Sequence, residues 1–186
     1  MLEERWGHFL LESGHHSDLW LDLELLCLRP RLVEPAAVEL AQRLSVHGVD
    51  TVCGPLVEGA FVGLMVAAEL DVDFTYSERF AQPAEDGLFP AGYRISNAFE
   101  GRLRNKRVAI VNDVVNAGSA VRGTFAALAA CGAAPVVIGA LLVLGTAASE
   151  FAASRNVALP NSLWTPRECP LCVSGAMLEN VGGFAG

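Results

Sequence analysis

Lysine is almost missing from this chain: Lys106 is the only one, beside twelve arginines. Cation chemistry therefore falls to arginine, to backbone amides or to a metal ion. Positive charge is scarce as a whole, with thirteen Lys and Arg against twenty-one Asp and Glu and a formal net charge of −8. No Lys/Arg run is present, so the basic patch of a nucleic-acid binder is missing and no nucleic-acid partner is expected. Charged residues make up only 18% of the chain against 52% hydrophobic, which argues against long disordered stretches. A membrane-spanning run is lacking too. The longest apolar stretch, Ala133 to Ala148, is interrupted by Pro135, Gly139 and Gly145 and reads as a buried strand with flanks. Glu3, Glu4 and Arg5 do not make a signal-peptide pattern, so a cytoplasmic location is expected; the two acids are most simply solvated. Five cysteines, an odd number, do not look like a disulfide framework.

What is present is enough apolar residue to cover a sheet on both faces. The 186 residues suit one domain with a real core. Along the chain, Ser17 to Leu26 alternates loosely as a short strand. Glu34 to His47 carries Ala37, Leu40, Ala41 and Leu44 at helical spacing, with Pro35 in the first turn and Gly48 as the stop. Thr51 to Pro55 is a short strand, Gly59 to Leu70 a helix apolar nearly all round and so expected to be buried, and Val72 to Tyr76 a strand. Ser77 to Gly92 shows no periodicity and reads as a long loop, the kind that serves as a lid or binding loop. Tyr93 to Phe99 reads as an edge strand, Arg107 to Val111 as an apolar strand, Ser119 to Cys131 as a helix and Pro135 to Leu144 as the next strand. The remainder looks irregular, with Ser162 to Trp164 a short last strand. Strands alternating with helices imply an α/β fold, a mostly parallel twisted sheet with helices on both faces. We divide the chain into an N-terminal hood segment, residues 1–33, a core, 34–145, and an irregular C-terminal segment, 146–186.

In such sheets ligands bind beyond the carboxyl ends of the strands. The segment to examine is therefore Val108 to Ala120, where an apolar strand meets Asn112-Asp113-Val114-Val115-Asn116-Ala117-Gly118-Ser119-Ala120. Ala117, Gly118 and Ala120 are small, so an anion can approach their backbone amides. A helix starting at Ser119, a plausible N-cap, adds roughly half a positive charge there. Asn116 and Ser119 offer side-chain donors, and Asp113 suits the vicinal hydroxyls of a ribose. The pattern reads as a holder for ribose 5-phosphate; an ordinary βα turn with a helix cap fits the same bare arrangement.

The residue order separates the two. Asn112 to Ala120 resembles the phosphoribosyl-binding signature of the type I phosphoribosyltransferases, with Asn112 in place of a first acid and Asn116 in place of a Thr. Other segments resemble the orotate phosphoribosyltransferases in the right order over roughly the whole chain. Gly7 to Ser17 resembles the segment that covers the base. Asp50 to Pro55 followed by Glu58-Gly59 resembles the strand and pyrophosphate loop. Tyr76 to Arg79 resembles a strand end that supplies a pyrophosphate-binding Arg. Pro166-Arg167-Glu168-Cys169-Pro170-Leu171-Cys172 resembles a C-terminal motif of one branch. The resemblance implies Mg²⁺-dependent transfer of ribose 5-phosphate from phosphoribosyl pyrophosphate to orotate, with the ion carried mainly by the substrate, and a homodimer whose loop reaches the neighbouring site. It implies Asn112, Asp113, Val114, Asn116, Ala117, Gly118, Ser119 and Ala120 at the phosphate and ribose, with Asp113 the candidate catalytic residue. It further implies Arg79, Val57, Glu58 and Gly59 at the pyrophosphate, and Ser13, Gly14 and His15 at the base.

The chain departs from that family at definite places. The family's mobile loop carries a catalytic Lys, or an Arg-Arg-Gly-Phe stretch in the branch with the Cys-Pro-Leu-Cys tail. Here Leu88 to Tyr93 has no Lys, His or Arg; Arg79 and Arg94 flank it, and Glu78, Glu85 and Asp86 add negative charge. Where the family has an Asp-Arg that contacts the orotate carboxylate, this chain has Leu144-Gly145. Three further features are weighed on their own. Cys169 and Cys172 form a lone C-x-x-C, and Cys27, Cys53 and Cys131 lie far off in apolar elements, so the pair reads as packing or turn structure and no metal site is expected. His15 and His16 lie near the expected base site, as base contacts or as an exposed pair. Trp6, Trp20 and Trp164 read as packing residues.

Overall fold

Val108, Ala109, Ile110 and Val111 are all fully buried, because they form the middle of a central strand with a neighbour on each side. The computed structural model describes residues 3–22, 26–81, 91–144 and 162–181. The element order is β1 (Glu3–Leu10), β2 (His16–Asp22), α1 (Pro30–Leu44), β3 (Thr51–Pro55), α2 (Glu58–Leu70), β4 (Asp73–Ala81), β5 (Ala91–Ile95), α3 (Asn97–Leu103), β6 (Arg107–Val115), α4 (Ser119–Ala130), β7 (Ala134–Val143), β8 (Leu163–Trp164), α5 (Pro170–Val173) and β9 (Glu179–Asn180). The main sheet runs β5-β4-β3-β6-β7. Its β4-β3-β6-β7 pairs are parallel and β5 is an antiparallel edge.

Strand alternation divides the core in two. Val52, Ala109 and Val111 point to one face and meet Leu40 and Leu44 of α1 and Val62 and Val66 of α2. Cys53, Val108 and Ile110 point to the other and meet Leu103 of α3 and Val121 and Leu128 of α4. This is the expected α/β sheet covered on both faces. A second sheet, β8-β2-β1-β9, is assembled from the two ends of the described chain and forms the hood. Leu19 and Leu21 of β2 pack on Leu142 and Leu144 and so dock the hood on the main sheet. Among the described residues no helix is long and apolar enough to cross a membrane.

Several boundaries differ from the sequence reading. The first long helix starts at Pro30, which takes the first-turn position and leaves Pro35 inside the helix. A proline there removes one amide donor, and the buried stripe Val33, Ala37, Leu40, Ala41 and Leu44 holds the helix regardless. Helix α2 is not buried all round: Phe61 and Leu64 are exposed. The expected loop from Ser77 is strand as far as Ala81, because Ser77 to Ala81 pair with Ile95 to Ala91 in a hairpin; residues 82–90 lie outside the described residues. The expected edge strand to Phe99 stops at Ile95, and α3 follows. Strand β6 does not end at Val111 but continues to Val115, since β7 pairs with it that far, Val115 against Val143. The C-terminal segment has the expected short strand, at Leu163–Trp164, and in place of an irregular remainder supplies a second hood strand and a short helix.

Candidate active site

The carboxyl ends of β3, β4 and β6 open into a cavity of about 690 Å³, within the range of ligand sites. Asn116, Ala117, Gly118, Ser119 and Ala120 line one part of it. Gly118, rather than Ser119, is the N-cap of α4, with φ 76°, and no side-chain hydrogen bond caps the helix. Only glycine adopts that backbone conformation without cost. The first-turn amides are left to an incoming acceptor, as a phosphate would supply. The Arg122 guanidinium donates to the Ala117 carbonyl at 2.8 Å and braces the loop from outside.

Asn112 and Asp113 are both buried at the end of β6. Asn112 Nδ2 donates to the Val114 carbonyl at 2.8 Å. Its Oδ1 lies where a Cβ on Gly59 would sit, so Gly59 is needed for α2 to approach β6 this closely. Asn112 thus braces the two loops against each other. Burial raises the Asp113 carboxyl to about 6; the Glu58 carboxylate adds to the rise, and hydrogen bonds from backbone amides, chiefly that of Val114, oppose it. Because the folded value lies above the ordinary 3.8, the folded chain holds this proton more tightly, and the group costs stability as pH rises from 3.8 through about 6. The same shift supplies a test of the expected contact between Asp113 and ribose hydroxyls. An ionised Asp113 accepts hydroxyl hydrogen bonds best, so the ratio of wild-type to Asp113→Asn affinity for a nucleoside monophosphate should fall toward one as pH drops from about 8 to about 5. Calorimetric titration of both proteins measures this ratio. A ratio constant over that range removes Asp113 from the ribose contact.

Val57, Glu58 and Gly59 line the cavity at the start of α2, with Arg79 and Glu78 on β4. Arg79 Nη1 donates to Glu12 Oε2 at 2.7 Å, and the Tyr93 hydroxyl donates to Glu12 Oε1 at 2.5 Å. One carboxylate from the β1–β2 turn therefore fastens the hood to β4 and β5. Burial and the Glu12 charge push the Tyr93 phenol well above its usual range, so it stays a donor. Among the described residues, Glu12, Glu58, Glu78 and Asp113 bring four carboxylates to the lining, against the guanidinium of Arg79. An anionic ligand needs more than Arg79 to enter.

The sequence-derived candidates divide accordingly. Asn112, Asp113, Val114, Asn116, Ala117, Gly118, Ser119, Ala120, Val57, Glu58, Gly59 and Arg79 all line one cavity, together with Ser13. Gly14 and His15 do not line it. His15 is half-buried and shares a hydrogen bond with Ser13 Oγ at 3.1 Å; burial lowers its pKa. His16 is buried and turned away, toward His8. Trp20, read as packing, is part of the lining, as are Glu12, Tyr93 and Leu144. Glu12 stands 67 residues from Arg79, and no local pattern signals such a pair.

No family model matches the sequence. Among curated proteins, the orotate phosphoribosyltransferase of Thermotoga maritima is 30% identical over 178 residues, covering 95% of this chain and 90% of the relative. The chain belongs to the orotate phosphoribosyltransferase family. The Caldanaerobacter subterraneus orotate phosphoribosyltransferase is 29% identical over 180 residues, covering 95% of this chain and 88% of that one. Among solved structures, Leishmania donovani UMP synthase superposes with a TM-score of 0.61 at 22% identity, covering 97% of this chain and 33% of that one. Adenine phosphoribosyltransferase of Thermoanaerobacter pseudethanolicus superposes with a TM-score of 0.59 at 17% identity, covering 76% and 87%. The fold is thus the type I phosphoribosyltransferase fold, and the chain is placed among glycosyltransferase enzymes. Leu144, where the resemblance places the Asp of an Asp-Arg pair, is an apolar part of the cavity wall, and Gly145 lies outside the described residues.

Proposed function

We propose that the chain binds phosphoribosyl pyrophosphate across this cavity and transfers its ribose 5-phosphate to a nucleobase, orotate first among the candidates, releasing pyrophosphate. The observation that carries the reading is the single cavity lined both by the uncapped amides of Gly118 to Ala120 and by Arg79 with the Glu58 loop. The 5-phosphate sits on the amides, Asp113 accepts the ribose hydroxyls, and the diphosphate lies toward Arg79. Ser13 and Trp20 face the base. Cleavage of the C1′–O bond develops positive charge on the ribose, and Asp113 is the buried carboxylate placed to stabilise it. The whole chain acts as one domain in the cytoplasm.

The donor set fits Mg²⁺, a hard ion that takes oxygen ligands. Glu58 and Glu78 are the carboxylates that would hold it alongside the substrate's own oxygens. The ion would supply the positive charge that the lining lacks and so offset diphosphate against carboxylate.

A second reading, a nucleotide-binding protein with little turnover or a transferase for another base, is favoured by one feature: Leu144 in place of a polar base contact. Titration with phosphoribosyl pyrophosphate and Mg²⁺, followed by pyrophosphate release with a panel of bases, separates the readings. Absence of phosphoribosyl pyrophosphate binding defeats both.

A homodimer is part of the proposal. Leu28 and Leu32 are 72% and 70% exposed, and Phe61 and Leu64 of α2 are exposed with them. These apolar side chains suit coverage by a second copy. Sedimentation at micromolar concentration should show a dimer, and Phe61→Glu should shift it to monomer. A wild-type chain that sediments only as a monomer overturns this part.

A further inference from the structure

The C-terminal segment has almost no core of its own. In residues 162–181 Cys169 is the only buried residue, and β8 and β9 are two residues long each. Short strands of this kind are marginal without a staple. Yet the segment is held against β1 and β2 by these strand pairings, by the Arg5–Glu179 ion pair and by a cluster of four side chains that all bear metal-ligand atoms: His8, His16, Cys169 and Cys172.

We infer that these four residues form a Zn²⁺ site that fastens the two ends of the described chain into the hood. The four ligand atoms lie within 4.8 Å of one another. His8 Nε2 is 2.9 Å from His16 Nδ1, and 3.3 and 3.8 Å from the sulfurs of Cys169 and Cys172. Cys172 Sγ is 3.3 Å from His16 Nδ1. Tetrahedral zinc, with bonds of ~2.0–2.1 Å to nitrogen and ~2.3 Å to sulfur, separates its ligand atoms by roughly 3.3–3.8 Å. The cluster already has close to those dimensions.

The local structure accounts for the convergence. Leu10 pairs with His16 across β1 and β2, and the register shifts between Trp6 and Phe9, so His8 sits at a β-bulge beside that pair and its ring meets His16 edge-on, with centroids 4.9 Å apart. Cys169 is the N-cap of α5 and Cys172 lies in the turn that follows, so both sulfurs fall on one side of it. The chain after α5 then turns back, with Ala176 N–H donating to the Leu171 carbonyl at 3.0 Å. That places the Ala176 carbonyl 3.0 Å from His8 Nδ1. Nδ1–H donates there, which leaves the Nε2 lone pair facing the other three ligands. Zinc-bound histidines usually have such a partner on the second nitrogen. His8, His16 and Cys169 are buried, while Cys172 is exposed and leaves a route for the ion. Both sulfurs bind as thiolates, their two protons passing to solvent.

The site bears on the cavity without touching it. The residues between ligands His8 and His16 form the turn that carries Glu12 onto Arg79 and Tyr93, and Ser13 into the lining. Val181, at the end of the fastened segment, lines the cavity as well. Zinc would therefore position the hood over the active site. The C-x-x-C pair, read from the sequence as packing with no metal, finds its missing ligands as histidines of the other end of the described chain.

The full chain, reduced and reconstituted, tests this. Elemental analysis after gel filtration should find about one zinc per chain, and Co²⁺ in its place should give the intense visible bands of a tetrahedral site with thiolate-to-metal charge transfer. Cys172→Ser, at the exposed ligand, should weaken zinc retention by at least ~100-fold. A strong chelator should lower the Tm of the wild-type chain and speed amide exchange in residues 162–181, and should change neither in Cys172→Ser. A reduced wild-type chain that takes up neither Zn²⁺ nor Co²⁺ overturns the proposal. So does an octahedral Co²⁺ spectrum, or a Cys172→Ser chain that holds the metal as tightly as the wild type.

Discussion

Supplied with orotate, phosphoribosyl pyrophosphate and Mg²⁺, the chain is expected to bind the phosphoribosyl donor and to turn over orotate far below the ordinary enzyme range of ~1–10³ per second. The reason is charge. Residues 77–92 contain no Lys, and Leu144 and Gly145 stand where the resemblance places an acid and an Arg. Each charged hydrogen bond missing from a water-excluded site costs roughly 2–4 kcal/mol of transition-state stabilisation. Two such losses amount to about 4–8 kcal/mol, or roughly 10³- to 10⁶-fold at ~1.4 kcal/mol per tenfold. Arg79 does not make up the deficit readily, because it already holds Glu12 at 2.7 Å. Donor binding survives better, since in the proposed mode the amides of Gly118 to Ala120 would contact a phosphate that does not react. Stopped and continuous assays of orotate consumption measure the rate. Turnover within the ordinary range shows that another cation replaces the missing ones, and Arg79→Ala and Arg94→Ala then tell which.

Gly118→Val should weaken binding of a nucleoside 5′-monophosphate by about 100-fold or more. Gly118 sits at φ 76° at the head of α4, where a β-branched residue is strained. The bulk would also cover the amides on which the phosphate rests. Charge-assisted hydrogen bonds are worth ~1.5–3 kcal/mol each, so the loss of two is enough for that factor. Gly48 provides the control. It has φ 56°, and a Cβ there meets nothing within 4 Å. Gly48→Val therefore bears a comparable backbone cost away from the cavity and should leave nucleotide affinity unchanged. Equal affinities for wild type and a folded Gly118→Val would remove the phosphate from this loop.

The phosphate loop is a local object: strand, Asn116-Ala117-Gly118 turn and helix are contiguous, and the amides belong to neighbouring residues. Its strand, turn and helix start are therefore legible in the residue order alone, even though the strand runs on to Val115 and the cap is Gly118 rather than Ser119; its phosphate chemistry is the proposal. The same holds for the parallel sheet, because apolar strands alternating with amphipathic helices have few other ways to bury their faces. The stretch from Ser77 reads as loop because strand β4 is polar and aromatic there, and only its hairpin partner β5 completes the hydrogen bonding.

By itself, then, the sequence determined the α/β core, the strand–turn–helix geometry of the candidate phosphate loop and the shortage of positive charge in the chain. Only the tertiary structure decided the two constellations that join distant segments. Glu12 meets Arg79 and Tyr93 across 67 and 81 residues, and His8 meets Cys169 across 161. His8 and Cys169 are brought together by which strands pair in the hood, β8 on β2 and β9 on β1. Glu12 reaches Arg79 and Tyr93 because the hood docks on the main sheet, Leu19 and Leu21 on Leu142 and Leu144, a contact between surfaces that exist only once both sheets have formed.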